Sequence, residues 1–431
     1  MAKAKDQAKA LNKEKKEKKA QELAAVGESE ATGLVRLAFT NVCFMACAWS
    51  LPRALPFLVG SDGQCYFAVR LVFWAIFDAT FSATCHKLVL QPARVLARCI
   101  PGAASHMASD EAGLAAEESL QHDATLVWPP PDAPIPAEWR QLAAKPPKPT
   151  KQPYFLNHVR GHVRFRQAML RLGSATGTLL QTAAMGAFFD GTELIDTMLL
   201  RGASWGDLGQ GVATGACCIV VVFAAEIAVG WLRVIGYLEV VAPGEWLVLN
   251  LFFDVLFHVS VAINEELTLR GWLLLNTSKA AALGLGLNAY GATAVAIGVQ
   301  SLLFAAAHAA SPGASAVGLL NLSVGGIAGA LNVVLTGNLA FALGWHFGWN
   351  IVMGHLLGLS TSGIPMSAKL VSVVPHPAKA PLHGGTFGPE QSPLAPAAYM
   401  LGVGILVAIY GTDGWAAWEN RVMGTSFESS I

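Results

Sequence analysis

Long apolar runs separated by short polar or Gly/Pro breaks recur along the chain, at roughly 34–59, 65–90, 176–200, 209–234, 246–276, 290–308, 314–336, 338–359 and 396–410. A helix of about 20 apolar residues crosses the hydrocarbon core of a bilayer, so this pattern predicts an all-α, polytopic bundle of eight or nine transmembrane helices. Pro52 and Pro56 kink or end the first run. In the second, Arg70, Asp78 and His86 recur every eight residues and keep to one helix face, which meets neighbouring helices. Gly- and Ala-rich faces such as GLLNLSVGGIAGALN are what close contact between membrane helices requires.

Between the runs the chemistry changes. Residues 1–33 form a charged tail without the apolar core of a secretory signal. Residues 34–90 hold the first two spans, and residues 91–171 a soluble Pro/Arg-rich loop whose PPPDAPIP and KPPKPTKQP runs read as extended linkers. The basic stretch up to Arg171 snorkels at the interface. Residues 172–411 are the main bundle and 412–431 a C-terminal tail.

Composition sharpens this picture. With 53% hydrophobic and 13% charged residues and a mean hydropathy of +0.46, the chain is an integral, multi-pass membrane protein whose first partner is the lipid bilayer. The zero formal net charge leaves no basic surface for nucleic acid, and no nucleic-acid partner is expected. It hides an asymmetry: eight lysines lie in residues 1–20 and ten Lys/Arg between Arg94 and Arg171, which predicts both segments on one side of the membrane. The seven cysteines sit mostly in apolar runs without CxxC spacing and read as packing residues.

The run at 246–276 differs from the others because it carries Asn264, Glu265, Glu266 and Arg270 at membrane depth, where each charge costs on the order of 2.5–3.5 kcal/mol. Glu266 and Arg270, four apart with the acid first, suit an intrahelical ion pair. Glu265 points about 100° away from Glu266 and is left free for chemistry. Two later runs add Phe304 and His308, then His346 and Asn350, each pair four apart on one helix face. A carboxylate, two imidazoles and an amide from three helices supply a proton acceptor for water and donors for a developing oxyanion. His258, seven residues before Glu265, reads as helix packing or a polar support; His355, His376 and His383 lie outside these pairs.

Glu265-Glu266-x-x-x-Arg270, Phe304-x-x-x-His308 and His346-x-x-x-Asn350, in this order, resemble the motifs of the CPBP (Abi) intramembrane proteases, which include the CAAX prenyl endopeptidases. HAASPGAS and GGTFGPEQS resemble the bacterial-type branch, and the likeness spans about 246–410. The resemblance implies an endopeptidase acting on a membrane-associated peptide or protein. Glu265 and His308 would activate water, His346 and Asn350 hold the oxyanion, and Glu266 and Arg270 support them. No cofactor is favoured; a zinc ion, if used, would be held by Glu265, His308 and His346. Two other classes share these features: a catalytically silent scaffold binding membrane proteins, and a proton- or cation-coupled transporter. The absence of a visible internal repeat weighs against the transporter.

Overall fold

The computed structural model describes residues 163–187, 192–240, 247–366 and 368–424, with scattered helical positions between 70 and 85. The expected span at 34–59, the charged tail, the proline runs, Asp78 and His86 lie outside the described residues. The helices are α1 (Val163–Met185), α2 (Trp205–Ala228), α3 (Leu247–Glu265), α4 (Leu274–Leu285), α5 (Ala289–Ala307), α6 (Ala316–Thr336), α7 (Ala340–Ile351), α8 (Ala395–Tyr410) and α9 (Gly414–Met423). A π-helical segment, Glu266–Leu273, joins α3 to α4, so that Leu247–Leu285 runs as one helix of 39 residues.

Four of the described helices are long and apolar enough to cross a membrane: Trp205–Ala228, Leu247–Leu285, Ala289–Ala307 and Ala316–Thr336. The pair α8 and α9, bent by 100°, makes a fifth where the two are counted as one span. The protein is thus an integral, multi-pass helical bundle, with fewer full spans in this part than the hydropathy pattern predicts. The reasons are local. Helix α1 begins at Val163, inside the expected loop, because Ala168 and Met169 dock on Phe253 and Phe257 of α3. It ends at Met185, short of Leu200. Helix α7 has only twelve residues before a π-helical turn, Val352–Leu356, and a left-handed Gly358 redirect the chain.

A two-stranded antiparallel sheet was not anticipated. The expected helix up to Val234 stops at Ala228; Gly230 turns the chain with a positive φ, and Leu232–Val240 forms β1. It pairs with β2 (Ala368–Pro375), with Leu232 opposite Pro375 and an irregularity between Val234 and Gly236. Both strands are rich in Val, and β-branched side chains suit a pleated surface. Residues 414–423, read from sequence as tail, are helix α9, anchored by the fully buried Trp418, whose indole N–H donates to Thr293 Oγ1 at 2.9 Å.

The closest helix pair is α2 with α7. Gly211 and Gly215 of α2 interlock with Gly344 and Gly348 of α7: a Cβ on Gly215 would lie 2.3 Å from the Trp345 carbonyl oxygen, and one on Gly348 2.3 Å from that of Val212. These are backbone contacts and leave no room for a methyl group. Gly348→Ala is therefore expected to destabilise the protein by about 1–3 kcal/mol through overpacking. Gly209→Ala on α2, whose Cβ would meet nothing within 4 Å, should be neutral or slightly stabilising. Thermal unfolding of the two variants in detergent checks this; equal melting temperatures would contradict the contact.

Candidate active site

Glu265 is the last residue of α3 and Glu266 the first of the π-helical segment, where backbone bonding widens from i→i+4 to i→i+5. The neighbouring acids are separated as the helical geometry predicts. Glu266 is buried, its side chain 4% exposed, and its Oε1 accepts from Arg270 Nη1 at 2.9 Å. The side chain of Glu265 keeps 20% exposure. The ion pair expected between Glu266 and Arg270 is present, and Arg270 does not pair with Glu265.

Glu266 does more than neutralise Arg270. The same Oε1 accepts from His346 Nδ1 at 2.7 Å, so one carboxylate oxygen ties the first motif to the third. The bond puts the Nδ1 proton toward Glu266 and leaves Nε2 toward Glu265, 3.9 Å from Oε2. The other oxygen of Glu266, Oε2, is buried without a hydrogen-bond partner among the described residues. Gly329 on α6 makes room for the guanidinium, because a Cβ there would lie 2.9 Å from Arg270 Nη2.

The second motif reaches the first through Phe304. The Arg270 guanidinium lies 4.3 Å from the centre of its ring, a cation–π contact in a desolvated setting. The His308 ring meets Phe304 edge-on at 4.9 Å. His308 caps α5, and its Nδ1–H donates to the Phe304 carbonyl at 2.8 Å. A carbonyl can only accept, so neutral His308 carries its lone pair on Nε2. His346, His308 and Arg171 of α1 all lie within electrostatic reach of Glu265.

The glycine contact with α2 fixes α7. His346 lies two residues from both Gly344 and Gly348, about 200° around the helix, so it and Asn350 face away from α2. Both line a cleft, together with the titratable side chains of Glu266, Arg270 and Glu390. Phe304, Leu322, Trp345, Trp349 and Tyr399 make the rest of its wall largely apolar. Glu265 and His308 are not among the lining residues; they adjoin the cleft through His346 and through mutual electrostatic reach.

Glu390 was not singled out from sequence. Its signal is there: it is the only acidic residue between Glu266 and Asp413. Its Oε2 accepts from the backbone N–H and the hydroxyl of Ser362, both at 2.7 Å. Ser362 is itself held at φ 46°, a left-handed conformation that side chains other than glycine rarely adopt. Burial holds the Glu390 carboxyl above the usual carboxylate range, against the Ser362 bonds and the charges of His308 and His346, which pull it down. The GGTFGPEQS loop that carries it is docked on α6 by Asn321, whose amide donates to the carbonyls of Glu390 (3.1 Å) and Ser392 (2.9 Å). It also closes on the turn after His308, since a Cβ on Gly313 would lie 2.2 Å from Thr386 Oγ1.

The remaining histidines stand apart from the cleft. His258 and His355 meet at 5.3 Å, and His355 Nδ1 donates to the Ala368 carbonyl at 2.8 Å, near Asp254. His383 Nε2 donates to the His376 carbonyl at 3.1 Å, and burial holds its imidazole below the ordinary range. The zinc set of Glu265, His308 and His346 does not fit a metal centre in this arrangement. Among the described residues no three His, Cys, Asp or Glu side chains are grouped to hold an ion. No step below runs through a metal.

The arrangement thus offers a partly exposed carboxylate, an imidazole with a free lone pair, an imidazole held by a buried carboxylate, and an amide, beside an apolar cleft. No curated protein and no solved structure matches the chain. The family model described as type II CAAX prenyl endopeptidase Rce1-like matches residues 246–352, a segment that contains all seven motif residues and stops before Glu390. The likeness to the CAAX prenyl endopeptidases thus falls on the segment that bears the site.

Proposed function

We propose that the protein is an intramembrane endopeptidase of the CAAX-processing type, hydrolysing a peptide bond near the C-terminus of a lipid-anchored substrate. Glu265 takes a proton from the attacking water, and His308, with Nε2 unprotonated, orients that water. His346 and Asn350 hold the oxyanion, while Glu266 and Arg270 position His346.

The observation that carries this reading is the shared Glu266 oxygen, bound to Arg270 and to His346 Nδ1 at once. Glu266 pairs with Arg270, and Glu265 Oε2 lies 3.9 Å from His346 Nε2. With Nδ1–H given to Glu266, a protonated His346 presents Nε2–H as the donor an oxyanion needs. The Asn350 amide is buried and has no hydrogen-bond partner among the described residues, so it too is available as a donor. The apolar wall of the cleft supports a substrate with an apolar chain beside the reacting bond.

The test uses the full chain, purified in detergent, and a peptide ending in a prenylated Cys-aliphatic-aliphatic-X sequence. Cleavage after the modified cysteine is expected, with the unprenylated peptide a poor substrate; intact prenylated peptide would reject the reading. Asn350→Ala should slow cleavage by about 10²–10³ and leave a measurable residue, as loss of one oxyanion donor does.

A further inference from the structure

Hydrolysis of an amide needs two proton movements. Water gives up a proton as its oxygen bonds to the carbonyl carbon, and the departing nitrogen must gain one as the C–N bond breaks. Glu265 accounts for the first. The second needs a group that holds a proton beside the departing nitrogen; Glu266 is bound to Arg270 and His346, Asn350 has no proton to transfer, and His346 Nε2–H serves the oxyanion.

Resting on the hydrolase reading above, we infer that Glu390 is the general acid of the reaction, passing a proton from Oε1 to the departing amine nitrogen while Ser362 holds Oε2. Three observations converge on this. Glu390 lines the same cleft as His346 and Asn350. Its Oε2 receives two bonds from neutral donors, so a proton on the carboxyl sits on Oε1, which makes no hydrogen bond among the described residues. Unlike Glu266, it is buried without an ion-pair partner among the described residues, a setting in which a carboxyl stays neutral. Its shifted titration agrees, although the charges of His308 and His346 oppose it. The groups around it are thus Ser362 from the turn, His308 from α5, His346 from α7 and Tyr399 from α8. Two carboxyls in one site, one paired and ionised and one unpaired and protonated, divide base from acid.

The proton balance closes. Glu265 removes one proton from water, Glu390 delivers one to nitrogen as the C–N bond breaks, and the proton on Glu265 then restores Glu390 through the cleft. The products are a carboxylic acid and an amine, which ionise to carboxylate and ammonium.

Glu390→Gln tests this. Its amide oxygen takes the Ser362 bonds and its NH₂ occupies the cleft position, so the variant reproduces the hydrogen bonds of the protonated acid without a transferable proton. Against the prenylated peptide, kcat should fall about 10²–10⁴ with KM and thermal unfolding unchanged. A matching nitrophenyl ester, whose leaving group needs no proton, should be cleaved at the wild-type rate. Equal losses on amide and ester, or no loss on the amide, would overturn the assignment. Glu265→Gln distinguishes failure of the hydrolase reading: it should lose cleavage of both substrates, and full retention would remove that reading while leaving the Glu390 comparison interpretable on its own.

Discussion

Glu265→Gln is expected to abolish detectable peptide cleavage while the protein unfolds at the wild-type temperature. The substitution keeps side-chain volume and removes the proton acceptor, and general base catalysis contributes about 10²–10⁴ in rate. The fold should tolerate it because Glu265 takes no part in the buried pair. Its side chain is 20% exposed, and its nearest charged contact, His346 Nε2, lies 3.9 Å away, beyond a hydrogen bond. Cleavage of the prenylated peptide and thermal unfolding, measured on the same detergent preparation, check both halves. Full activity in the variant would defeat the enzymatic reading and bring forward a scaffold that binds membrane proteins through the same bundle.

Much of this site is legible from residue types and spacing because a charge at membrane depth needs a partner. The i, i+4 spacing of Glu266 and Arg270 led to their ion pair, and the 100° offset separated Glu265 from it. What local spacing does not contain is which helices meet. The Glu266 to His346 bond joins residues 80 apart in sequence and depends on α7 being pressed onto α2 by four glycines. The role of Phe304 as a platform for Arg270 was hidden for the same reason. Glu390 lay beyond the reach of periodicity altogether: it sits in a short 3₁₀ turn, Pro389–Gln391, whose position is set by Asn321 and Ser362. Hydropathy identified the apolar segments but not where they break, because the breaks at Gly230 and Gly358 are backbone conformations rather than changes in polarity. The β1–β2 ribbon was invisible for a related reason, since Val-rich segments beside membrane helices read equally well as helix ends.

Glu266→Gln should act in the opposite way to Glu265→Gln, through stability. In the folded protein Glu266, Arg270 and His346 share one oxygen, and Glu266 and Arg270 are almost fully buried. A glutamine can keep a carbonyl oxygen at that point and so retain the geometry of both bonds, but it removes the negative charge that compensates Arg270. Its NH₂ would take the place of Oε2, which is buried without a hydrogen-bond partner among the described residues, adding two unsatisfied donors to an uncompensated cation. Breaking a buried pair by removing one member costs about 3–5 kcal/mol, whereas replacing both members is much less costly. Arg270→Met in the Glu266→Gln background should therefore recover part of the loss, because Met fills space over the Phe304 ring without a charge to bury. Thermal unfolding of wild type, both single variants and the double variant measures this coupling; additive losses, with no recovery in the double variant, would show that Glu266 is not held there as the counter-charge of Arg270.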